Sequence, residues 1–508
     1  MFSYRTALLL ITLAAVILAA GCTGVPGTPP ATTTPGSSPA AQAYEQGLDH
    51  SAAGNYRLAE QDFTNASALY AAAGDPAGAK KARDARFRAF RSHVEYSLNE
   101  TQAKAAMRSA YPNLSEEEIR SWLDTGVQKI VMENETMFFD VAANYLSAHP
   151  ELRKKTEGQS IDIATVTRWA WAENRTSGAG HYVNPVRYAG TERLAIPHEY
   201  LPQTGMMRIW YPLPVETESQ RNITVTGLPY PEYIVKGPFT TGDAGYVYYE
   251  IPAEKIQGDL VITADIAFTS YEQSFKIDPA QVGTYNTSDP DYQIYTASER
   301  NIEVTDAIRA KARQIVGNET NPYLQAQMIY RWMLTTYTYS HVPHISLDTR
   351  LPKVAESTYM FETGHGDCGT QSMLFAALCR SLGIPARATG GYQMLVTKTP
   401  APHFWAQYYV PGYGWVPTDL TLAEGGEWFD IPDTKRERFR SYYASSLDPA
   451  RLVFQKRIDL PLDPPLPADA VMMRAVLQYP AMTADSSEQD IDLISAAFFS
   501  VNLSESVK

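Results

Sequence analysis

The period of the hydrophobic positions changes several times along this chain. The first apolar run, Ala7 to Ala20, is continuous. It is too short for a comfortable membrane span and suits the apolar stretch of a secretory signal peptide. Residues 23–40 lose the pattern: Pro, Thr, Ser and Gly dominate. Such a stretch buries no core and reads as a stalk, reaching about 55 Å at about 3.1 Å per residue. From 41 to about 175 the chain turns helical in character, rich in Ala, Glu, Lys and Leu and poor in strand formers. Ser115 and Glu118 form a capping box that opens one of these helices, with Ile119, Trp122 and Leu123 on its apolar side.

From 181 to 290 the period becomes two. Ile262, Ala264, Ile266 and Phe268 alternate with polar residues, and Tyr246–Ile251 and Met207–Tyr211 are aromatic or β-branched runs that end at proline. Short strands punctuated by Pro and Gly predict an antiparallel β-sandwich. Helical spacing returns at 291, with Pro322 at the first position of a helix that runs to about Thr336. Strand patterns take over again beyond 404. The fold class is therefore α+β and multidomain. Its expected parts are a signal peptide (1–21), a stalk (22–40), a helical region (41–175), a β-sandwich-like domain (181–290), an α+β core (291–460) and C-terminal strands (461–508). The last could extend the core sheet or the sandwich. Gly47, Gly54, Tyr56, Ala59, Phe63 and Ala66 resemble the small/large pattern of one tetratricopeptide-type helical hairpin. No second copy follows at that period, and an irregular bundle fits as well.

Composition adds little to the fold and something to the setting. The 508 residues are 44% hydrophobic and 19% charged, as in a folded globular protein. A net charge of −13 without a long basic run argues against nucleic acid as a partner. The segment Leu18-Ala19-Ala20-Gly21-Cys22 resembles a prokaryotic lipobox, with Ala19 where leucine is more usual. It implies cleavage before Cys22, a lipid on the Cys22 sulfur and a protein held at the extracellular face of the cell membrane. Asn-X-Ser/Thr sequons at Asn65, Asn99, Asn113, Asn134, Asn174, Asn222, Asn286, Asn318 and Asn502 also fit an exported, glycosylated chain.

The chemistry centres on one cysteine. The chain has three, and Cys368 sits in Gly-His-Gly-Asp-Cys-Gly-Thr-Gln-Ser (364–372). Cys379 lies on the same predicted helix, about 16 Å away by rise, whereas a disulfide needs Cα atoms within about 7 Å. Cys368 is therefore a free thiol in an exported protein. Asp367 is placed to cap the helix and Cys368 to occupy its first turn, where exposed N–H groups and the dipole favour thiolate. The Cys368 amide can also help to bind an oxyanion.

A thiol nucleophile needs a base and the base an orienting group. Residues 403–419 read as a hairpin with His403 at the outer end of one strand and Asp419 at the outer end of the other. A loop over 410–412 would place them directly opposite. A loop over 411–414 would put Asp419 on the other face unless a bulge at Gly412 or Gly414 corrected it.

Gly366-Asp-Cys368, Leu378 to Arg387, Gly390-Gly-Tyr392, His403-Phe-Trp405, Gly414-Trp415 and Asp419 together resemble the transglutaminase-like superfamily over about 320–430. The resemblance implies a papain-like α+β core with a Cys-His-Asp triad: Cys368 as nucleophile, His403 as general base and acid, Asp419 orienting the imidazole. No cofactor and no metal site is expected. Gln407 stands where many relatives carry glutamate, so an ion pair is expected to be absent there. Gln371 is too uncertain in direction to be assigned to the oxyanion hole.

The remaining candidates are weaker. His365 is too close in sequence to Cys368 for a usual triad base. His341 and His344 lack ligand partners at metal-binding spacing and read as loop histidines. Asp289 and Asp291 are too short a set for a calcium loop. Two functions fit. One is an extracellular thiol enzyme acting on amide or peptide bonds through a thioester acyl-enzyme, as peptidase, amidase or transamidase on a peptide or protein substrate. The other is a catalytically inert surface protein acting as a binding or assembly module, with the helical region as the surface for a protein partner. The intact triad pattern favours the enzyme.

Overall fold

The computed structural model describes residues 37–149, 152, 168, 170, 180–350, 352–394, 400–428, 431–467 and 477–506. The signal peptide, Cys22, most of the stalk and Asn174 lie outside them.

Three consecutive helices, Pro39–Ala52, Tyr56–Ala72 and Pro76–His93, open the described chain. Ser38 and Asp75 cap the first and third by accepting from the amides of Ala41 and Gly78. The first helix thus begins inside the stretch expected to be stalk. Ala59, Phe63 and Ala66 are buried between the helices. Beyond Tyr96 the region is not all helical. Lys129–Met132 and Glu135–Phe138 form a hairpin, and Leu98–Asn99 adds a third strand. The turn residues Glu133 and Asn134 both have positive φ (48° and 63°), the backbone that a two-residue hairpin turn demands. The helical expectation overlooked this because a glutamate occupies a position usually held by Asn, Asp or Gly.

The sandwich is built from β1 (Tyr182–Ile196), β2 (Met206–Pro212), β3 (Gln220–Thr226), β4 (Ile234–Phe239), β5 (Tyr246–Pro252) and β6 (Leu260–Ser274). In one sheet β6 pairs with both β1 and β3; in the other β5 lies between β2 and β4. Ile262, Ala264, Ile266 and Phe268 point into the core, as their alternation predicts.

The core sheet uses β7 (Ala386–Gln393), β8 (Ala401–Val410), β9 (Gly414–Thr418) and β11 (Arg451–Gln455), in the order β9-β8-β7-β11 and all antiparallel. The short β10 (Ser446–Leu447) crosses over to pair with β6. The C-terminal strands resolve the alternative left by the sequence: β12 (Ala481–Ala484) pairs with β2 and β13 (Phe499–Glu505) with β1, one in each sandwich sheet.

One apolar cluster runs through both the sandwich and the core, from Ile209, Val247 and Phe268 to Phe375, Trp405 and Tyr408. Backbone bonds tie the seam: the Val215 amide donates to the Val453 carbonyl (3.0 Å) and the Gly245 amide to Phe454 (2.9 Å). The helical unit keeps separate small clusters of its own. Among the described residues no helix is long and apolar enough to cross a membrane.

Candidate active site

The helix Cys368–Ser381 is the axis of the site. Every residue from Gly369 to Ser381 is buried, as suits a helix wrapped on all sides. Asp367 caps it, accepting from the amides of Gly369 (3.0 Å) and Thr370 (3.1 Å). Gly383 follows its end with φ of 80°. Cys368 thereby sits in the first turn, half-buried, while Cys379 is buried on the same helix; both are free thiols.

The helix packs on β7 and β8. The Phe404 amide on β8 donates to the Cys368 sulfur, which sets the sulfur beside His403 in the chain. Gly391 on β7 pairs with His403. A Cβ at Gly391 would lie 1.9 Å from the Leu452 carbonyl oxygen, so only glycine lets β11 approach here. The pairing of β7 with β11 slips between Gly390 and Gly391, a bulge directly behind His403.

The hairpin register matches neither expectation. Val410 pairs with Gly414, so the loop is Pro411–Tyr413, closed by Gly412 and Gly414 at φ of 90° and 92°. Thr418 pairs with Ala406 and ends β9. Asp419 continues one step beyond it, diagonal to His403 and on the same face, because the offset is an even number of residues. No bulge is needed. The Asp419 carboxylate accepts from His403 Nε2 (2.8 Å) and, at the same oxygen, from Arg451 Nη1 (2.8 Å). Its other oxygen accepts from the Leu422 amide (3.0 Å) and so starts the helix Leu420–Trp428.

Arg451 gave no signal in the sequence. It lies on β11, buried, bridging Asp419 and Asp448 (2.7 Å), with its guanidinium over the Trp405 ring. Burial alone would raise the Asp419 pKa, but His403 and Arg451 together overcome it and hold the carboxyl at about 2. Gln478, from the C-terminal tail, donates to the carbonyls of Gly391 (2.9 Å) and His403 (3.0 Å) and straps the two strands.

The thiol departs from the expectation of a depressed pKa. Burial, joined by the Asp367 and Asp419 carboxylates, pushes Cys368 up; the Phe404 amide and His344 only partly offset this. Desolvation outweighs the helix end.

His344 is not a loop histidine. It opens the helix His344–Thr349 and bridges Glu356 (2.9 Å, through Nδ1) and Asp367 (2.8 Å, through Nε2). Burial opposes its charge, yet the two carboxylates hold its pKa well above the ordinary value. The residue that caps the Cys368 helix is thus itself held by a histidine. His341 pairs with Asp140 of the helical unit. His365 lies on a short strand beside Thr338, its pKa lowered by burial.

Gln371 turns away from the thiol, donating to Glu424 (2.7 Å) and accepting from Thr421 (2.7 Å). Gln407 accepts from Arg387 Nε (2.8 Å), so a neutral amide takes the contact where an ion pair was expected to be absent. Asp289 caps the helix Pro290–Thr296.

Residues 309–420 match the family model of the transglutaminase-like superfamily, a span that contains Cys368, His403 and Asp419. The chain carries a transglutaminase-like domain. Over 150 residues, a quarter of this chain, it is 24% identical to an uncharacterized protein of Haemophilus influenzae and covers 40% of that protein. It is also 24% identical over 138 residues to a protein-glutamine gamma-glutamyltransferase of Pseudomonas aeruginosa, covering 20% of it. The chain thus spans less than half of either relative. Among solved structures, a candidate cysteine protease from Cytophaga hutchinsonii aligns over 64% of this chain and 92% of its own, with 15% identity and a TM-score of 0.38. The periplasmic domain of TgpA from Pseudomonas aeruginosa aligns over 56% of this chain and 95% of its own, with 14% identity and a TM-score of 0.25. Within that span Cys368 opens the buried helix, His403 lies on β8 and Asp419 directly follows β9.

Proposed function

We propose that this chain is a thiol enzyme acting on amide bonds, with Cys368 as nucleophile, His403 as base and acid, and Asp419 as the orienting carboxylate. The observation that supports it most is the buried chain of His403, Asp419 and Arg451, on the strand whose Phe404 amide donates to the half-buried Cys368 sulfur. His403 spends Nε2 on Asp419, which leaves Nδ1 to take the thiol proton. The sulfur then bonds to the amide carbonyl carbon, and the Cys368 amide supports the oxyanion. Collapse breaks the C–N bond as His403 protonates the leaving amine, giving a thioester. Water or a second amine attacks this thioester, His403 takes its proton, and the C–S bond breaks to return the thiol. Burial pushes the Cys368 pKa up, so transfer of the thiol proton depends on the alignment of His403.

Thiol labelling tests the reading. Iodoacetamide is expected to label Cys368 and spare Cys379, faster as pH rises, and His403→Ala should slow labelling about tenfold or more. Equal, slow labelling of both cysteines, unchanged in His403→Ala, would leave only the binding-module alternative. Incorporation of a fluorescent primary amine into peptide libraries separates transamidation from hydrolysis.

The chain is also proposed to be exported and lipid-anchored through Cys22, a reading carried by the lipobox-like segment alone. Cys22→Ser should abolish incorporation of an alkyne-tagged fatty acid and release the protein from the membrane fraction. Retention of both would refute the anchor.

A further inference from the structure

Two histidine–carboxylate systems bear on the nucleophile. His403 with Asp419 has its part in the proposed chemistry; His344 with Glu356 and Asp367 has none there. His344 Nε2 lies 2.8 Å from Asp367 Oδ2, and Nδ1 lies 2.9 and 3.0 Å from the two Glu356 oxygens. Asp367 directly precedes Cys368, and Glu356 opens the helix Glu356–Thr363. The ring therefore clamps both ends of the segment 356–367 that leads into the nucleophile.

These contacts define the charge of the ring. A carboxylate only accepts, and a neutral imidazole has one N–H. Carboxylates on both ring nitrogens call for two N–H groups, which is an imidazolium. Asp367 stays ionised for a reason of its own. Its other oxygen accepts from the amides of Gly369 (3.0 Å) and Thr370 (3.1 Å) and from the Thr370 hydroxyl (3.3 Å). Among the described residues His344 is the one cation in contact with this carboxylate.

The pair reaches the sulfur. Burial is the largest influence on the Cys368 pKa; beside it the Asp367 carboxylate pushes the value up, and the charge on His344 pulls it back. A neutral ring would leave the full Asp367 charge facing the thiol as it loses its proton. Two further ionisable groups bear on the ring, Glu95 of the helical unit and the Cys368 thiol itself. Tyr96 and Tyr359 stand next to the carboxylates. Burial pushes Glu95 up to about 8, so at neutral pH it is mostly protonated and competes little for the ring's charge.

We propose that His344 is a positioning residue for the nucleophile: it holds Asp367 as the cap of the Cys368 helix and supplies the positive charge that keeps this carboxylate from opposing the thiolate. The consequence for amide cleavage rests on the thiol-enzyme reading; the effect on thiol reactivity does not.

The test reads iodoacetamide labelling of Cys368 in the full chain across pH, with the buried Cys379 as internal control. His344→Gln keeps a side chain able to donate to Asp367 and removes the charge. It should slow Cys368 about tenfold at about pH 8, as if the thiol titrated about one unit higher, while Cys379 stays unlabelled. Asp367→Asn still offers an oxygen to the helix amides but carries no charge to be offset. In that background the same His344→Gln change should cost less than about threefold. In the wild-type chain, imidazole nitrogen-15 shifts should show His344 doubly protonated at about pH 8, where an ordinary histidine is neutral. An unchanged labelling profile in His344→Gln, an equal slowing in both backgrounds, or a neutral His344 ring at that pH overturns the proposal. Should His344→Gln fail to fold, both cysteines will label fast, and the protonation of the ring in the wild-type chain decides. If His403→Ala leaves labelling unchanged while the His344 pattern holds, the catalytic reading fails and the positioning role stands; the reverse result overturns the positioning role alone.

Discussion

The sandwich and the transglutaminase-like domain are fused, whereas the helical unit is docked. The first two share one apolar cluster and a backbone seam at Val215, Gly245, Val453 and Phe454. Apolar burial contributes roughly 25 cal/mol per Å² and carries no titratable group. The helical unit meets the rest through polar joints: Asp140 with His341, Glu95 accepting from the Ser346 amide, and Arg91 with Asp490 and Asp492. Buried charge pairs add little net stability but demand their partners and their geometry. The first joint is mainly apolar and backbone, with Tyr442 donating to the buried Glu272 (3.1 Å) across it. The other is set by titratable groups and reaches His344, which holds the residue that caps the Cys368 helix.

The largest effect is expected inside the fused block. Arg451→Leu leaves the Asp419 and Asp448 carboxylates buried and short of a cation, a loss of about 3–5 kcal/mol. The denaturant midpoint of the block should fall, and on the proposed thiol-enzyme reading amide turnover should drop by about a hundredfold or more as Asp419 is no longer fixed against His403. Wild-type turnover in this variant would separate Arg451 from the site.

Arg91→Leu should cost a similar amount at the other joint, since Arg91 is 1% exposed and paired to Asp490 at 2.5 Å. Here the loss should appear as an early, separate transition. Proteolysis within 37–149 should accelerate while the later midpoint stays within about 0.5 kcal/mol of wild type, as for distant sites. A single transition shifted as a whole would mean that the helical unit is fused as well, and the contrast would collapse.

The parts legible in the sequence are those fixed by local rules. The helix of Cys368 could be read because Asp367 caps it and Gly383 ends it. The alternation around Ile262 gave β6, and the family motifs marked out the domain. What escaped depends on distant partners. Arg451 meets Asp419 from a strand 32 residues on, and no spacing announces such a pair. His344 reads as a loop residue until Glu356 and Asp367 are folded around it. The hairpin register turned on which of two glycines closes the loop; both do, and neither assumed register survived. The thiolate expectation failed because a helix end is a local feature, while the burial that outweighs it is supplied by the whole domain.

A smaller effect probes the helical unit by itself. A Cβ at Gly47 would lie 2.6 Å from the Phe63 ring, so Gly47→Leu should overpack the pair at about 1–3 kcal/mol. The early transition should move and iodoacetamide labelling of Cys368 should not. A change in labelling would mean that strain inside the unit crosses the polar joint.

The smallest effect separates the two joints most cleanly. Glu95 is pushed up to about 8, first by burial and further by Glu356, against the Ser346 and Ile345 amides and His344. A carboxyl raised in the folded state gives its stability fully below its ordinary value and loses it as pH climbs through the folded one. His344, held above its ordinary value by Glu356 and Asp367, works in the same direction. The docked joint should therefore loosen between about pH 5 and pH 9, while the apolar seam should not. Hydrogen exchange, corrected for intrinsic rates, should show falling protection at 344–349 and constant protection in β11. Glu95→Gln replaces the protonated carboxyl with a neutral amide of the same shape, so it should match wild type at about pH 6 and hold its protection at about pH 9. If the variant loosens with the wild type, His344 is the group that titrates. If neither loosens, the joint is as indifferent to pH as the seam, and its polar construction does not make it a weaker bond.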